Sequence, residues 1–203
     1  MLGREDMKTE RLSRAGAQFQ FCAALAFVLA GGPIAWSDEG QAVVRAIHGS
    51  AAHLVDGAWR PLKVGKVLKS GSKVKTGEGA TVDLYLDQNG PVVRITENTT
   101  FGLDVLKFET NTGSALVIHT ELHLPIGRIL ASLRPLAKES KYNVKIPGGV
   151  VEFRGGDIEV TADGKVRVVG PPATLVRTVS GKQPQVEVIN PVSPKIKPAY
   201  PTP

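Results

Sequence analysis

Beyond residue 40 the chain alternates apolar and polar residues in short runs, and a repeat of two residues is the signature of a strand with one face buried. Thr81 to Leu86 shows this most cleanly, with Val82, Leu84 and Leu86 on one side and Thr81, Asp83 and Tyr85 on the other. The longest run, Ser114 to Leu124, puts Leu116, Ile118, Thr120, Leu122 and Leu124 on one face. It ends at Pro125, a residue that belongs at a strand edge or bend. Val43, Arg45 and Ile47 open the series. Ala51–Val55, Val92–Thr96, Asn143–Ile146, Val150–Phe153, Asp157–Thr161, Lys165–Val169, Leu175–Val179 and Gln185–Ile189 continue it. Turn residues separate the runs at Asp56-Gly57, Gln88-Asn89-Gly90, Asn111-Thr112-Gly113, Asp163-Gly164 and Ser180-Gly181. Leu103–Phe108 is ambiguous, and Gly127–Leu133 reads equally as a strand or a helical turn.

One stretch is paced differently. Glycines stand at 57, 65, 71 and 77, with single apolar residues (Leu62, Val64, Val67, Leu68, Val74) between them. Such runs are too short for helices, so they predict short strands broken by tight turns where φ is positive. Trp59 and Pro61 open the stretch, a large apolar anchor followed by a stiff link. The predicted fold class is all-β: two antiparallel sheets stacked as a sandwich or rolled around one core, in a single domain over residues 38–189. Val82, Leu84, Leu86, Leu116, Ile118, Leu122, Val151 and Phe153 are the core candidates.

The two ends read differently from the middle. Arg4, Lys8, Arg11 and Arg14 precede a run from Ala15 to Ser37 with no charge. Ala35 and Ser37 put small residues at the two positions a signal peptidase reads. Residues 1–37 are therefore predicted to be a signal peptide cut before Asp38, and uncut they would anchor the chain in a membrane. No membrane span is expected after cleavage. From residue 190 prolines recur at 191, 194, 198, 201 and 203, which predicts an extended, polyproline-like tail over 190–203.

The formal net charge of +6 is modest. The basic residues sit singly between apolar ones, the pattern of a solvated strand face, and nucleic acid is not an expected partner. The only cysteine, Cys22, lies in the leader, so the rest of the chain has no disulfide framework and no thiol nucleophile.

Candidate chemistry is sparse. His119, Glu121 and His123 share the polar side of the longest strand. Residues two apart on one face lie about 7 Å apart, a spacing at which two histidines can hold zinc. The same side of an exposed strand gathers polar residues without any metal, and no metal and no cofactor are expected. There is no phosphate loop and no nucleophile elbow, and Asp157 and Glu159 read as solvent-facing, so the chain is not expected to be an enzyme. Arg154 carries a fork of donors suited to tying loop carbonyls or a carboxylate together, or to touching a partner. Trp59 is more naturally a core anchor than a ligand platform.

Two blocks carry a family likeness. The first is Trp59, Pro61-Leu62, Gly65, Leu68, Gly71, Val74 and Thr76-Gly77. The second is Gly127-Arg128-Ile129-Leu130, Ser140 to Val150, and Arg154-Gly155. Over roughly residues 44 to 170 the chain resembles the FecR domain, the periplasmic domain of the ferric-citrate regulator type. The resemblance implies that Gly127–Leu133 is a strand. It also implies a threonine after Arg154-Gly155, where this chain has Gly156. Members typically join a cytoplasmic anti-sigma segment and one membrane span to this outer domain, which touches the plug-side domain of an outer-membrane receptor. The 14 residues ahead of the apolar run are too few for an anti-sigma bundle. The expectation is therefore a stand-alone, exported, non-enzymatic module, periplasmic or secreted. It would bind an envelope protein, a receptor or membrane component, with Arg154 and Trp59 as contacts and β-augmentation at open strand edges as the mode. A module for cell-wall or surface polysaccharide is the second reading and requires exposed aromatics on one face. A zinc-dependent hydrolase built on His119, Glu121 and His123 is the third.

Overall fold

Alternation becomes pairing along the chain. The computed structural model describes residues 38–90, 92–110, 116–177 and 183–192. The predicted leader, the turns at 111–113 and 180–181 and most of the proline-rich tail lie outside the described residues. In chain order the strands are β1 (Asp38–Glu39), β2 (Gln41–His48), β3 (Ala51–Val55), β4 (Ala58–Pro61), β5 (Val67–Lys69), β6 (Ser72–Thr76), β7 (Thr81–Tyr85), β8 (Val92–Ile95), β9 (Thr100–Thr110), β10 (Leu116–Ile126), β11 (Arg128–Leu133), β12 (Lys141–Ile146), β13 (Gly149–Glu152), β14 (Gly156–Thr161), β15 (Val166–Val169), β16 (Ala173–Arg177) and β17 (Gln185–Ile189). The larger sheet runs β17-β16-β13-β12-β10-β9-β6-β3-β4, with β1 laid on β9. The smaller runs β15-β14-β11-β8-β7-β2-β5.

The fold is all-β with two sheets, as the alternation requires. The expectation of purely antiparallel pairing needs one correction: β10 and β12 run parallel, from His119↔Lys141 to His123↔Lys145. The cause is β11, which crosses to the smaller sheet and pairs there with β8 and β14, so the chain returns to the larger sheet in the direction of β10. The ambiguous segments resolve as strands β9 and β11.

The turn chemistry is local and direct. Asp56 and Gly57 both have positive φ (50° and 78°) between the paired Val55 and Ala58, the two-residue turn whose twist suits a hairpin. Glycines 57, 65 and 71 of the paced stretch sit at positive φ, where β-carbons are disfavoured.

The core lies between the sheets. Val82, Leu84, Ile95, Ile129, Ile158 and Val160 from the smaller sheet meet Phe101, Leu103, Ile118, Leu122, Tyr142, Val144 and Val151 from the larger and Phe153 just past β13, all buried. Leu116 is the exception among the predicted core residues. It opens β10 opposite Thr110, where the β9–β10 ribbon starts, and stays 36% exposed.

Two strands break their own pattern. Alternation through Val43, Arg45 and Ile47 would send a cation to the same side as two apolar residues. A register shift between Val44 and Ala46 removes the conflict. Ala42 and Val44 point into the core before it and Ile47 packs against the core after it, while the Arg45 guanidinium lies 5.0 Å from the centre of the Tyr85 ring. Pro125, predicted to end its strand, instead sits inside β10, at a register irregularity between His123 and Ile126 where a donor can be missing.

Candidate functional site

His119, Glu121 and His123 do share the outer face of β10, but Glu121 is already committed. Lys145 Nζ lies 2.5 Å from its carboxylate and His119 Nε2 3.2 Å away, and Lys145 also reaches Asp104 at 3.4 Å. The hydrogen bond from Lys145 holds the Glu121 carboxyl below its usual range, and the same bond holds the Lys145 ammonium above its own. His123 faces Gly102 on one side and Lys145 on the other, so a cation rather than a ligand stands beside it. Among the described residues no group of three or more His, Cys, Asp or Glu could hold a metal ion.

Arg154 works within the fold. Its Nη1 donates to the carbonyls of Lys138 (3.1 Å) and Ser140 (2.8 Å), and its Nη2 pairs with Glu152 at 2.6 Å. The fork pins the connection between β11 and β12 against β13. The next residues explain the departure from the family pattern. Gly155 and Gly156 have φ of 141° and 90°, and a β-carbon on Gly156 would run into the carbonyl oxygen of Val169. Asp157 and Glu159, expected to face solvent freely, are engaged instead. Ser132 donates to Asp157 at 2.7 Å, and Glu159 lies between Arg128 (3.2 Å) and Arg167 (3.5 Å). On the same face Arg94 grips Asp83 with two bonds of 2.7 and 2.9 Å. The outer face of the smaller sheet is thus cross-braced by its own charges.

Trp59 corrects the expectation of a core anchor. It stands on β4 opposite Leu54 and is 38% exposed, with Lys75 Nζ 4.5 Å from the ring centroid. β4 is the last strand of its sheet and all four of its residues are exposed. Trp59 borders an open hollow of about 780 Å³ with Ala52, Pro61, Lys75 and Gly77. Among the other described aromatics, Tyr142, Phe101 and Phe153 are fully buried, Phe108 is partly buried, and Tyr85 lies under Arg45.

The sheet edges differ sharply in how they are guarded. β4 has four residues and ends in Pro61, which offers no donor. β5 has three residues and carries Lys69. The edge of β15 is covered by the chain itself, because the backbone N–H of Val192 donates to the carbonyl of Val168 at 2.9 Å. β17 has five residues, Gln-Val-Glu-Val-Ile, with no proline, lysine or glycine, and pairs only with β16 among the described residues. Its Val186 and Val188 are 66% and 58% exposed. Val186 stands opposite Val176, and Val176 opposite Val150, so a row of valines leads across the outer face to the open edge. The sequence marks Gln185–Ile189 as a strand but not as an edge, because edge position depends on partners distant in the chain.

Residues 72–170 match the protein-family model described as FecR protein. The match begins at β6, so the first block lies ahead of it from Trp59 to Gly71 and inside it at Val74 and Thr76-Gly77. None of the curated proteins and none of the solved structures matches the chain.

Proposed function

We propose that the chain is an exported, non-enzymatic receiving module that binds a protein of the cell envelope, a reading supported by the match of residues 72–170 to the FecR family, a signalling-related regulator family. The observation that carries this reading is the edge of β17, which no other strand covers among the described residues. A strand whose backbone donors and acceptors face outward beside exposed valines accepts an added strand, main-chain bonds giving affinity and the valine row giving selectivity. The charges of Arg154 and Glu121 serve internal contacts, so the module's recognition rests on that edge rather than on a polar pocket. The domain type favours the periplasmic side, and the leader-like residues 1–37 favour export.

The test compares two forms of the chain on envelope extract. The unaltered chain should retain a discrete protein. Val186→Lys/Val188→Lys, which places two ammonium groups on the edge, should lose at least about tenfold of that capture, with the thermal midpoint unchanged. Equal capture by both forms, or no retained protein, would remove the proposal.

A further inference from the structure

Arg60, Lys63, Lys66, Lys69, Lys73 and Lys75 are all exposed, and no acidic residue interrupts Gly57 to Gly77. Several cations elsewhere have carboxylate partners: Arg94 with Asp83, Arg128 and Arg167 with Glu159, Lys145 with Glu121, Arg177 with Glu187. None of the cations from 60 to 75 joins an ion pair among the described residues. The chain here crosses from β4, at the border of one sheet, to β5, at the border of the other, and carries the exposed Lys63 and Lys66 across with it.

The crossing is held firmly. Leu62 is buried and its N–H donates to the Ala51 carbonyl at 2.9 Å, Gly65 N–H donates to Val44 at 2.8 Å, and Val44 N–H donates to Lys66 at 3.0 Å. What it presents is an apolar tip inside a cationic collar: Val64 and Val67, 61% and 43% exposed, alternate with Lys63, Lys66 and Lys69. Trp59, the exposed indole of the preceding hairpin, has Lys75 over its ring. Burial first and the charge of Lys66 second lower the pKa of His53, which stands opposite Arg60, so Lys66 belongs to the same cluster as the hairpin.

We propose that this β4–β5 side docks on an anionic lipid bilayer, with Val64 and Val67 entering the headgroup layer and Lys63, Lys66 and Lys69 meeting the phosphates. Lysine stems and an indole suit that boundary, where one end of the group is apolar and the other wet. A nucleic acid would use the cations but would leave the two valines unexplained, and a single indole is a poor stacking platform for successive bases. The surface is separate from the β17 edge, so this docking stands or falls independently of the protein partner proposed above.

Flotation with vesicles of phosphatidylcholine, alone or mixed with phosphatidylglycerol, tests it. Every form carries the same amino terminus, so any affinity of the leader for lipid is common to all. The unaltered chain should prefer the anionic vesicles by at least about tenfold in low salt and lose most of that preference near 0.5 M salt. Lys63→Glu/Lys66→Glu/Lys69→Glu should bring the preference to within about twofold. Val64→Ser/Val67→Ser should weaken binding several-fold while leaving the salt dependence unchanged. All five positions are exposed, so unchanged thermal midpoints will show that the fold persists. An unaltered chain without preference for anionic vesicles overturns the proposal, as does a charge-reversed chain that keeps it. So does a serine variant that binds as before while duplex DNA displaces the protein, the behaviour of a general polyanion surface.

Discussion

At the residue scale the chain is decided by a few positions whose neighbours leave no choice. Gly156 is the clearest. Its φ of 90° and the Val169 carbonyl facing it exclude a side chain, although the family pattern has threonine there. Gly156→Thr should therefore destabilise the protein by roughly 2–4 kcal/mol, read as a lowered urea midpoint, while Asp163→Thr in the exposed β14–β15 turn should cost far less. Arg154 was legible as a fork for loop carbonyls because guanidinium chemistry is local. Trp59 was not legible, since its type says only that it is large and apolar. Whether anything covers it depends on the place of β4 in its sheet. Asn89 is similar: a turn residue by sequence, it is buried, donating to the Lys107 carbonyl at 2.8 Å and to Thr120 Oγ1 at 3.0 Å.

At the scale of elements, because a half-buried strand writes its burial into a repeat of two, alternation located β2, β3, β7, β8, β10 and β12 to β17 but left β9 and β11 ambiguous. It could not report direction. The parallel pair β10–β12 is set by the crossing of β11, which no local pattern encodes. That pair also carries a titratable brace. Glu121 on β10 is bridged by Lys145 on β12, and its carboxyl pKa is lowered from about 4.5, chiefly by the hydrogen bond from Lys145. A carboxylate held below its unfolded value contributes stability at pH above that value and loses it as pH falls through the folded one. Between about pH 5 and pH 3 the unfolding midpoint of the unaltered chain should therefore fall more steeply than that of Glu121→Gln. Parallel pH curves would show that the bridge contributes nothing between these strands.

For the whole molecule, the larger sheet has unlike ends. Among the described residues, β17 closes one border with exposed valines and no further strand, and β4 closes the other near cations that join no ion pair. Substitutions that share no neighbours act additively. The charge reversal at Lys63, Lys66 and Lys69 should thus leave protein capture unchanged, and the lysines at 186 and 188 should leave the lipid preference unchanged, both read on the same preparations. Sequence reasoning took those basic residues as singly scattered. In one dimension they are, and only the structure shows that Lys63 and Lys66 ride the crossing between two sheets.

The crossing of β11 has a further consequence. Neighbours in a hairpin can zip from the turn outward, but β12 has no such route to β10. An intervening strand must first settle on the opposite layer, and the segments that then close together are separated by a detour through it. Assembly should accordingly be slow and late at this seam, with the two hairpin-rich halves acquiring structure before they are joined. A newly made chain would stay extended for longer than its size alone suggests.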